Sequence, residues 1–326
     1  MDNSRLRDSL QLALGADYRV ERELGGGGMS HVFVAEELLQ GRRVVVKVLS
    51  PELAGTVDAE RFRREIHILT QLHHAAIVPV LGMGPAGSLL CYTMPLLAGE
   101  SLRTVMHRER QLPLAIAVGY ARDIADALSY AHRHNVVHRD IKPENIIVDG
   151  GHAVVMDFGI SRAIERSADI ESLTATGFTL GTPRYMSPEQ AAAEKHIDGR
   201  SDIYSLACVL FEMLVGEPPF PGTNSRLLIS RHLRSAPPSP RASRPDLPMS
   251  IERALLRALA KAPADRYDTS DSFAAALADG ADEAPSVAVA ARPPAGDSRS
   301  RRTMALGAGV AALIAVVTLV VARCTR

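Results

Sequence analysis

The amino-acid sequence predicts an α+β fold in which a small β-rich lobe comes first, a larger helical lobe follows, and one membrane-spanning helix lies near the C-terminal end. Three observations predict this architecture. Strand-like runs rich in β-branched residues are concentrated before residue 50. From about residue 102 onward, apolar residues recur at helical spacing. Close to the C-terminus, a long stretch carries no charge.

Length, composition and charge exclude several classes of protein. A chain of 326 residues suffices for about two folded units, and 46% hydrophobic with 23% charged residues is a globular composition. The 37 basic and 37 acidic residues cancel, which argues against a nucleic-acid partner because such binding needs a basic face. The widely spaced Cys91, Cys208 and Cys324 predict reduced thiols, with neither a metal site nor a disulfide framework.

The β-rich lobe is predicted from three strand candidates that glycines punctuate: Tyr18 to Leu24, Val32 to Glu36 and Val44 to Leu49. Residues 1–17 precede them as an N-terminal extension. The apolar spacing between Asp58 and Leu72 then predicts a helix.

The helical lobe is predicted from three segments with helical apolar spacing: Leu114 to His132, Asp202 to Val215 and Ile251 to Leu259. The Pro-rich run from Ala236 to Pro248 has the composition of a domain linker, but helical patterns resume after it. We therefore expect a loop within the lobe and one folded body over residues 18–280.

A glycine-rich turn lies between the first two strand candidates. Glycines let a backbone approach a bulky anion, with amide N–H groups aimed at phosphate oxygens. Taken alone, the run predicts a flexible turn equally well. Its residues are Leu24, Gly25, Gly26, Gly27, Gly28, Met29, Ser30, His31 and Val32.

A lysine interrupts the third strand candidate. Because an ammonium is costly to bury without a partner, Lys47 either finds one or points outward. Glu65, on the predicted helix that follows, is the candidate partner.

The strongest functional signal is a pair of polar motifs. Asp140 can orient an attacking hydroxyl and accept its proton, and Lys142 places a cation near a transferring phosphoryl group. Asn145 and Asp157, the latter seventeen positions after Asp140, offer oxygen ligands of the kind that Mg²⁺ prefers. The motifs read His138-Arg139-Asp140-Ile141-Lys142-Pro143-Glu144-Asn145 and Asp157-Phe158-Gly159.

With these motifs, the chain from about Tyr18 to Gly280 resembles the eukaryotic-like, or Hanks-type, serine/threonine protein kinases of bacteria. The resemblance implies a bilobal protein kinase fold with ATP and Mg²⁺ as cofactors, and Mn²⁺ as an alternative ion. It also implies transfer of the ATP γ-phosphoryl group to Ser or Thr of protein substrates.

The resemblance assigns roles residue by residue. Asp140 is the implied catalytic base, Lys142 and Asn145 are catalytic residues beside it, and Asn145 and Asp157 are the implied metal ligands. Lys47 would hold the α- and β-phosphates. The implied nucleotide-binding residues are Leu24, Gly25, Gly26, Gly27, Gly28, Met29, Ser30, Val32, Lys47, Glu65 (the ion-pair partner of Lys47), Met94 (the gatekeeper) and Leu97 (in the hinge).

Departures from the family pattern are mild. Ser30 replaces the third glycine of the phosphate loop, and its small side chain should not block a nucleotide. Pro95, at the hinge, lacks an N–H, but the hinge donor is expected from Leu97. Ser187 replaces the usual Ala before Pro188 and Glu189. Scaffold roles are implied for Thr182, Glu189 (the partner of Arg266) and Asp202 (the anchor of the catalytic loop).

Regulation is expected from the activation segment. Arg139 directly precedes Asp140, and in the family an arginine there pairs with a phosphothreonine. By position, Thr174 and Thr176 match the autophosphorylation pair of bacterial relatives, which implies a homodimer that phosphorylates in trans. An ordinary Thr-rich loop is the alternative.

The uncharged stretch runs from Met304 to Ala322, 19 residues that as a helix would extend about 28 Å, close to the ~30 Å core of a bilayer. It lies between a linker over residues 281–303 and a tail over residues 323–326, and both of these flanking segments carry arginines. We expect a single-pass anchor in the cell (inner) membrane with the kinase domain in the cytoplasm. A buried core helix is the alternative.

Two other functions compete with an active protein kinase. A membrane-anchored pseudokinase scaffold would lack equivalents of Lys47, Asp140 or Asp157, and all three are present. A small-molecule kinase of similar fold is disfavoured by Gly181 to Glu189, which resembles the segment that shapes a peptide-binding surface in protein kinases.

Overall fold

An antiparallel sheet of five strands, in the order β1-β2-β3-β5-β4, forms the first lobe in a computed structural model of the protein. The structure describes residues 3–27, 30–55, 57–83, 89–160 and 183–282. The strands are β1 (Tyr18–Gly27), β2 (Ser30–Glu37), β3 (Arg42–Leu49), β4 (Gly82–Met83) and β5 (Cys91–Pro95). The helices of this lobe are α1 (Asn3–Leu14), α2 (Pro51–Ala54) and α3 (Ala59–Leu69).

Strand β3 is apolar on both faces because both faces are covered. Val44, Val46 and Val48 are fully buried in a cluster of their own on one face. On the other face, Val45 joins the main core that continues into the helical lobe. Lys47 alternates with the three valines and therefore points to the same side as Val45.

Helix α1 covers the face of the sheet opposite the main core. Leu6, Leu10 and Leu14 recur every four residues along one side of the helix, and each is at most 2% exposed. They share a cluster with β3 valines and with the buried thiol of Cys91 on β5. The N-terminal extension of the sequence analysis is thus a packed part of this lobe.

Gln11 of α1 occupies the free edge of β1, which is an outer strand of the sheet. Its side-chain Oε1 accepts a hydrogen bond from Val20 N at 2.8 Å, and its Nε2 donates to Tyr18 O at 2.9 Å. The amide therefore replaces a neighbouring strand and covers backbone groups that an exposed edge would leave unpaired.

Helix α3 begins where Asp58 accepts a hydrogen bond from Arg61 N at 2.8 Å, an N-cap that satisfies one of the free amides of the first turn. Phe62, Ile66 and Leu69 form its buried side, as the sequence pattern predicts.

The second lobe is mainly helical and includes a three-stranded sheet in the order β6-β7-β8. In its long helix α7 (Arg200–Val215), every residue from Ser201 to Leu214 is buried, including the free thiol of Cys208. The strands are β6 (Glu100–Ser101), β7 (Ile146–Asp149) and β8 (His152–Val155). The helices are α4 (Leu102–Glu109), α5 (Leu114–Arg133), α6 (Pro188–Ala191), α7 (Arg200–Val215), α8 (Ser225–Arg234), α9 (Met249–Ala258) and α10 (Ser270–Asp282).

The β7–β8 hairpin sets the position of the polar motifs. The first motif ends at Asn145, directly before β7, and Asp157 follows β8 by two residues. Because Ile146 pairs with Val155 in the ladder, the ends of the two motifs lie side by side.

The bilobal architecture predicted from the sequence is confirmed, with the β-sheet lobe first and the helical lobe second. Helix α10 reaches Asp282, two residues beyond the expected end of the folded body. The stretches 283–303, 304–322 and 323–326 lie outside the described residues. Among the helices that the structure describes, none is both long and apolar enough to cross a membrane.

Candidate active site

The three residues of the implied catalytic loop meet at one carboxylate. Lys142 Nζ donates to Asp140 Oδ2 at 2.6 Å, and Asn145 Nδ2 donates to the same oxygen at 3.0 Å. Asn145 also donates to the backbone oxygen of Asp140 at 2.9 Å, which closes the loop on itself. The Asp140 side chain is 20% exposed, so it is both oriented and accessible.

Asp202, at the start of α7, holds the backbone that leads to Asp140. Its carboxylate accepts hydrogen bonds from His138 N and Arg139 N, each at 2.8 Å, and lies 2.7 Å from His132 Nε2. Burial alone would raise the pKa of Asp202, but the hydrogen bond and charge of His132 hold it below its ordinary value. These bonds offset a strained backbone, since Arg139 has a φ of 68°.

His138 joins the catalytic loop to the segment that carries Asp157. Its Nε2–H donates to Met156 O at 2.9 Å, and its Nδ1 accepts from Asp140 N at 3.2 Å. The ring also meets Phe158 edge-on, with 4.7 Å between centroids. The two motifs are therefore locked in register by side chain as well as by strand pairing.

Asp157 is buried between two donors from the β-rich lobe. Lys47 Nζ donates to its Oδ2, and the Tyr92 hydroxyl donates to its Oδ1 at 3.0 Å. Burial alone would raise the pKa of Asp157, but the Lys47 ammonium and both hydrogen bonds hold it below its ordinary value. The carboxylate is thus kept ionised, the form that a metal ion needs.

The structure brings Lys47 to Asp157 and not to Glu65, the partner that the family resemblance implies. Glu65 lies instead at a separate cavity of about 180 Å³, next to Leu69 of its own helix and to Val136 and Gly159 of the helical lobe. Lys47 does find a buried partner, as its place in an apolar strand requires, but that partner comes from the second motif.

The glycine-rich turn is only partly described. Near the end of β1, Gly25 pairs with Val32 and Gly26 with His31 of β2. Gly25 has a φ of 154° that side-chain-bearing residues rarely adopt. Leu24 is 45% exposed beside them. Gly27 pairs with Ser30, whereas Gly28 and Met29 lie outside the described residues.

Met94 lies on the same face of the sheet as Lys47. In the β3–β5 ladder, Lys47 pairs with Tyr92 and Val45 with Met94, and directly opposed residues share a face. Met94 is 3% exposed, and Leu97 is partly buried against the main core just beyond the end of β5. The implied gatekeeper thus lies on the same face of the sheet as the implied phosphate-binding lysine.

The backbone segments that carry Asn145 and Asp157 lie side by side, because the N–H of Met156, the residue before Asp157, donates to Asn145 O at 2.9 Å. Among the described residues there is no group of three or more His, Cys, Asp or Glu side chains that could hold a metal ion. A pair of oxygen donors nevertheless fits Mg²⁺, which usually takes one or two protein ligands and completes its shell with waters and phosphate oxygens.

Two residues that no sequence motif marks contact the motif residues: Tyr92, which donates to Asp157, and Arg103 of α4, which donates to Glu144. Arg103 Nε donates to Glu144 Oε1 at 2.8 Å and its Nη1 to Glu212 Oε1 at 2.7 Å, while Nη2 donates to the Tyr185 hydroxyl. That hydroxyl donates in turn to Glu212 Oε2 at 2.5 Å. The network ties the catalytic loop to α4 and α7 beside a cavity of about 1030 Å³.

The implied scaffold pair is present. Arg266 and Glu189 form two parallel hydrogen bonds of 2.7 Å, and their side chains are 0% and 4% exposed. Thr174 and Thr176, the predicted phosphorylation sites, and Thr182, with its implied scaffold role, lie outside the described residues.

The comparisons with known proteins agree with the fold. The sequence matches the protein kinase domain over residues 18–272, and the chain therefore belongs to the protein kinase family. It is 41% identical over 266 residues to the serine/threonine-protein kinase PknB of Mycobacterium tuberculosis (strain ATCC 25177 / H37Ra), which covers 80% of this chain and 42% of PknB. Its identity to the serine/threonine-protein kinase pkn3 of Myxococcus xanthus is 39% over 269 residues, covering 80% and 49%.

A solved structure shows the same fold. The crystal structure of the PknI kinase domain from Mycobacterium tuberculosis, in a single-substitution variant, aligns with a TM-score of 0.66 at 30% sequence identity. The alignment covers 82% of this chain and 96% of that one. The chain spans less than half the length of the two curated relatives, PknB and pkn3.

Proposed function

We propose that this chain is an ATP- and Mg²⁺-dependent protein kinase that phosphorylates Ser or Thr of protein substrates. The observation that carries the proposal is the assembly at Asp140, whose carboxylate is oriented by Lys142 and Asn145 while its backbone is fixed to buried Asp202. The names of the bacterial relatives support the Ser/Thr assignment.

Each residue has a chemical task in this reaction. Asp140 orients the attacking hydroxyl and accepts its proton, and Lys142 stabilises the charge of the phosphoryl group in flight. Asn145 and Asp157 hold the metal, and Lys47 holds the non-transferred phosphates. Bound Mg²⁺ and ATP supply charge neutralisation and the phosphoryl group itself. Because the protein takes little part in bond-breaking itself, the rate of phosphoryl transfer depends mainly on how the groups are positioned. Loss of a single positioned group should therefore lower that rate severely.

Incorporation of radiolabel from γ-labelled ATP into protein tests the proposal. We expect the wild-type chain to label itself and a general protein substrate. Asp140→Asn and Asp157→Asn should each lower the rate by about 100-fold or more, the usual effect of removing a general base or a metal-holding carboxylate. Equal labelling by the wild type and both variants would exclude catalysis by this chain. Nucleotide binding without transfer by the wild type would favour the pseudokinase scaffold.

We also propose that residues 304–322 anchor the chain in the cell (inner) membrane, with the kinase domain on the cytoplasmic side. The length of the uncharged stretch and the arginines on both sides support this placement. Fractionation of cells that express the chain with and without residues 304–326 is the test. The longer form should stay with membranes after an alkaline wash and the shorter form should not; a longer form in the soluble fraction contradicts the anchor.

Activation by trans-autophosphorylation at Thr174 and Thr176, within a homodimer, completes the proposal. Arg139 beside Asp140 supports it, since an arginine there can pair with a phosphate. Substituting both threonines with Ala should sharply lower activity, and full activity of the double variant would sink the idea.

A further inference from the structure

The two oxygens of the Asp157 carboxylate are held by two different residues of the β-rich lobe. Lys47 Nζ donates to Oδ2, and the Tyr92 hydroxyl donates to Oδ1 at 3.0 Å. The Asp157 side chain is 11% exposed and has a backbone φ of 64°, which places it in the left-handed region. Two donors on separate oxygens fix the rotation of the carboxylate as well as its position.

Tyr92 reaches Asp157 because of its place in the sheet. It lies on β5 directly opposite Lys47 on β3, so both side chains point from the same face toward the helical lobe. Tyr92 is 2% exposed. Burial, followed by the charge of Asp157, raises the pKa of its hydroxyl well above the ordinary value. The hydroxyl is placed to donate to Oδ1, and an ionised carboxylate can only accept from it.

The two donors differ in what a nucleotide does to them. Under the proposed function Lys47 serves the phosphates of ATP, and its ammonium then has a second set of anionic oxygens to bind. Tyr92 has no such alternative, since its hydroxyl is buried against Asp157. When Lys47 turns to the phosphates, Oδ2 becomes available to a divalent cation while Oδ1 stays with Tyr92.

We propose that Tyr92 is a positioning residue for the metal site: its hydroxyl holds Asp157 Oδ1 so that Oδ2 is the oxygen presented to Mg²⁺ when nucleotide engages Lys47. This inference rests on the proposed function, because it assigns a role in the same site. Without the hydroxyl, the carboxylate can rotate once Lys47 leaves, and fixing it again opposes metal binding. A merely structural tyrosine would affect stability and leave the dependence on Mg²⁺ unchanged.

The test is a Mg²⁺ titration of nucleotide binding by the 326-residue chain, with a non-hydrolysable ATP analogue and calorimetry as the readout. Tyr92→Phe removes only the hydroxyl. We expect the Mg²⁺ concentration for half-maximal binding to rise about fivefold or more, with less than a twofold change in binding of the analogue without metal. Tyr120→Phe is the matched control, a tyrosine of the helical lobe that is 8% exposed, and should leave the midpoint unchanged.

The outcomes separate the inference from the function on which it rests. An unchanged or lower Mg²⁺ midpoint in Tyr92→Phe overturns the role of Tyr92 while the proposed function stands. A wild-type chain that binds the analogue equally well with and without Mg²⁺ overturns both. Thermal unfolding in metal-free buffer establishes that the variant is folded; if it is not, Tyr92→Met, which also lacks the hydroxyl but suits an apolar site, takes its place in the titration with the same expectations.

Discussion

At the scale of single residues, the buried charges of the helical lobe are arranged in bonded pairs. Arg266 and Glu189 meet through two parallel hydrogen bonds, and Arg266 additionally donates to the backbone oxygens of Ala260, Arg200 and Lys261. Burial would raise the pKa of Glu189, but the guanidinium holds it below its ordinary value. Each partner is therefore tolerated in the interior only because the other is there.

Removing one partner of this pair should destabilise the protein strongly. We expect Arg266→Met to lower the free energy of unfolding by about 3–5 kcal/mol, because it leaves Glu189 charged and buried. Urea unfolding followed by circular dichroism measures the change. Arg43→Ala is the control, since the Arg43–Glu21 pair is 65% and 25% exposed and should contribute no more than about 1 kcal/mol. Similar losses in the two variants would contradict this account.

The site residues differ in how far a sequence can reveal them. Asp140, Lys142, Asn145 and Asp157 belong to motifs whose order and spacing are specific, and the structure brings the first three together at one carboxylate. Tyr92 belongs to no motif: its role depends on a contact across 65 positions. The same holds for Arg103, which reaches Tyr185 across 82 positions. Contacts of this kind are set by the packing of the lobes and are invisible to local pattern.

The partner of Lys47 illustrates the limit from the other side. The sequence indicates that a lysine in an apolar strand needs an anion, and it offers Glu65 as the candidate partner, whereas Asp157 is recognised there only as a metal ligand. The choice between them depends on where α3 lies relative to the sheet, which no spacing rule contains. In this structure the lysine pairs with Asp157.

At the scale of elements, the sequence of β3 indicates that another element, which the structure shows to be α1, covers the second face of the strand. The run Val44 to Val48 has apolar residues on both faces, which is typical of a strand that is covered on both sides. One of those covers is α1, whose buried leucines recur every four residues within the segment treated as an extension. The signal is therefore present both in β3 and in the leucine spacing of α1.

Helix α1 should contribute substantially to the stability of the β-rich lobe. Leu10 is 0% exposed against the sheet, so Leu10→Ala should lower the free energy of unfolding by about 2–5 kcal/mol through lost burial and a residual cavity. Leu12 lies two residues further along the same helix and is 84% exposed. Leu12→Ala should change the free energy of unfolding by no more than about 0.5 kcal/mol. Chemical denaturation of both variants provides the comparison. Equal effects would show that α1 does not pack as described.

At the scale of the whole molecule, a buried histidine connects distant parts of the helical lobe. His232 of α8 is 0% exposed; its Nδ1 accepts from the Tyr204 hydroxyl at 2.9 Å and its Nε2–H donates to Arg184 O at 3.2 Å. Lys261 Nζ donates to His232 O at 2.7 Å and lies 4.5 Å from the centroid of the Phe220 ring. Burial, with the nearby Lys261 charge, lowers the pKa of His232 to about 4.

This histidine should make the protein sensitive to acid. The pKa of His232 is lowered from 6.5 to about 4 on folding, so between these values the unfolded chain binds a proton that the folded chain does not. Stability is therefore fully present above pH 6.5 and is lost as the pH falls toward 4, by up to about 3 kcal/mol from this group.

Unfolding free energies of the wild type and His232→Gln, measured between pH 7 and pH 4.5, test this expectation. The variant should be less stable at pH 7, because its fit to Tyr204 and Arg184 is poorer, but its stability should fall less steeply with acid. The buried carboxylates with lowered pKa values, Asp202 and Glu189, are common to both proteins and cancel in the difference. Parallel curves would contradict the role of His232.

The two buried thiols make each lobe readable by a chemical reagent. Cys91 is covered on the α1 side of the sheet and Cys208 is enclosed within α7, and both are 0% exposed. An alkylating reagent can reach either sulfur only after the structure around that sulfur has opened. The rate of modification therefore reports how often this opening occurs. Release of α1 alone uncovers Cys91, whereas Cys208 requires the helical lobe to open. The ratio of the two alkylation rates thus measures how independently the lobes unfold, with no engineered cysteine.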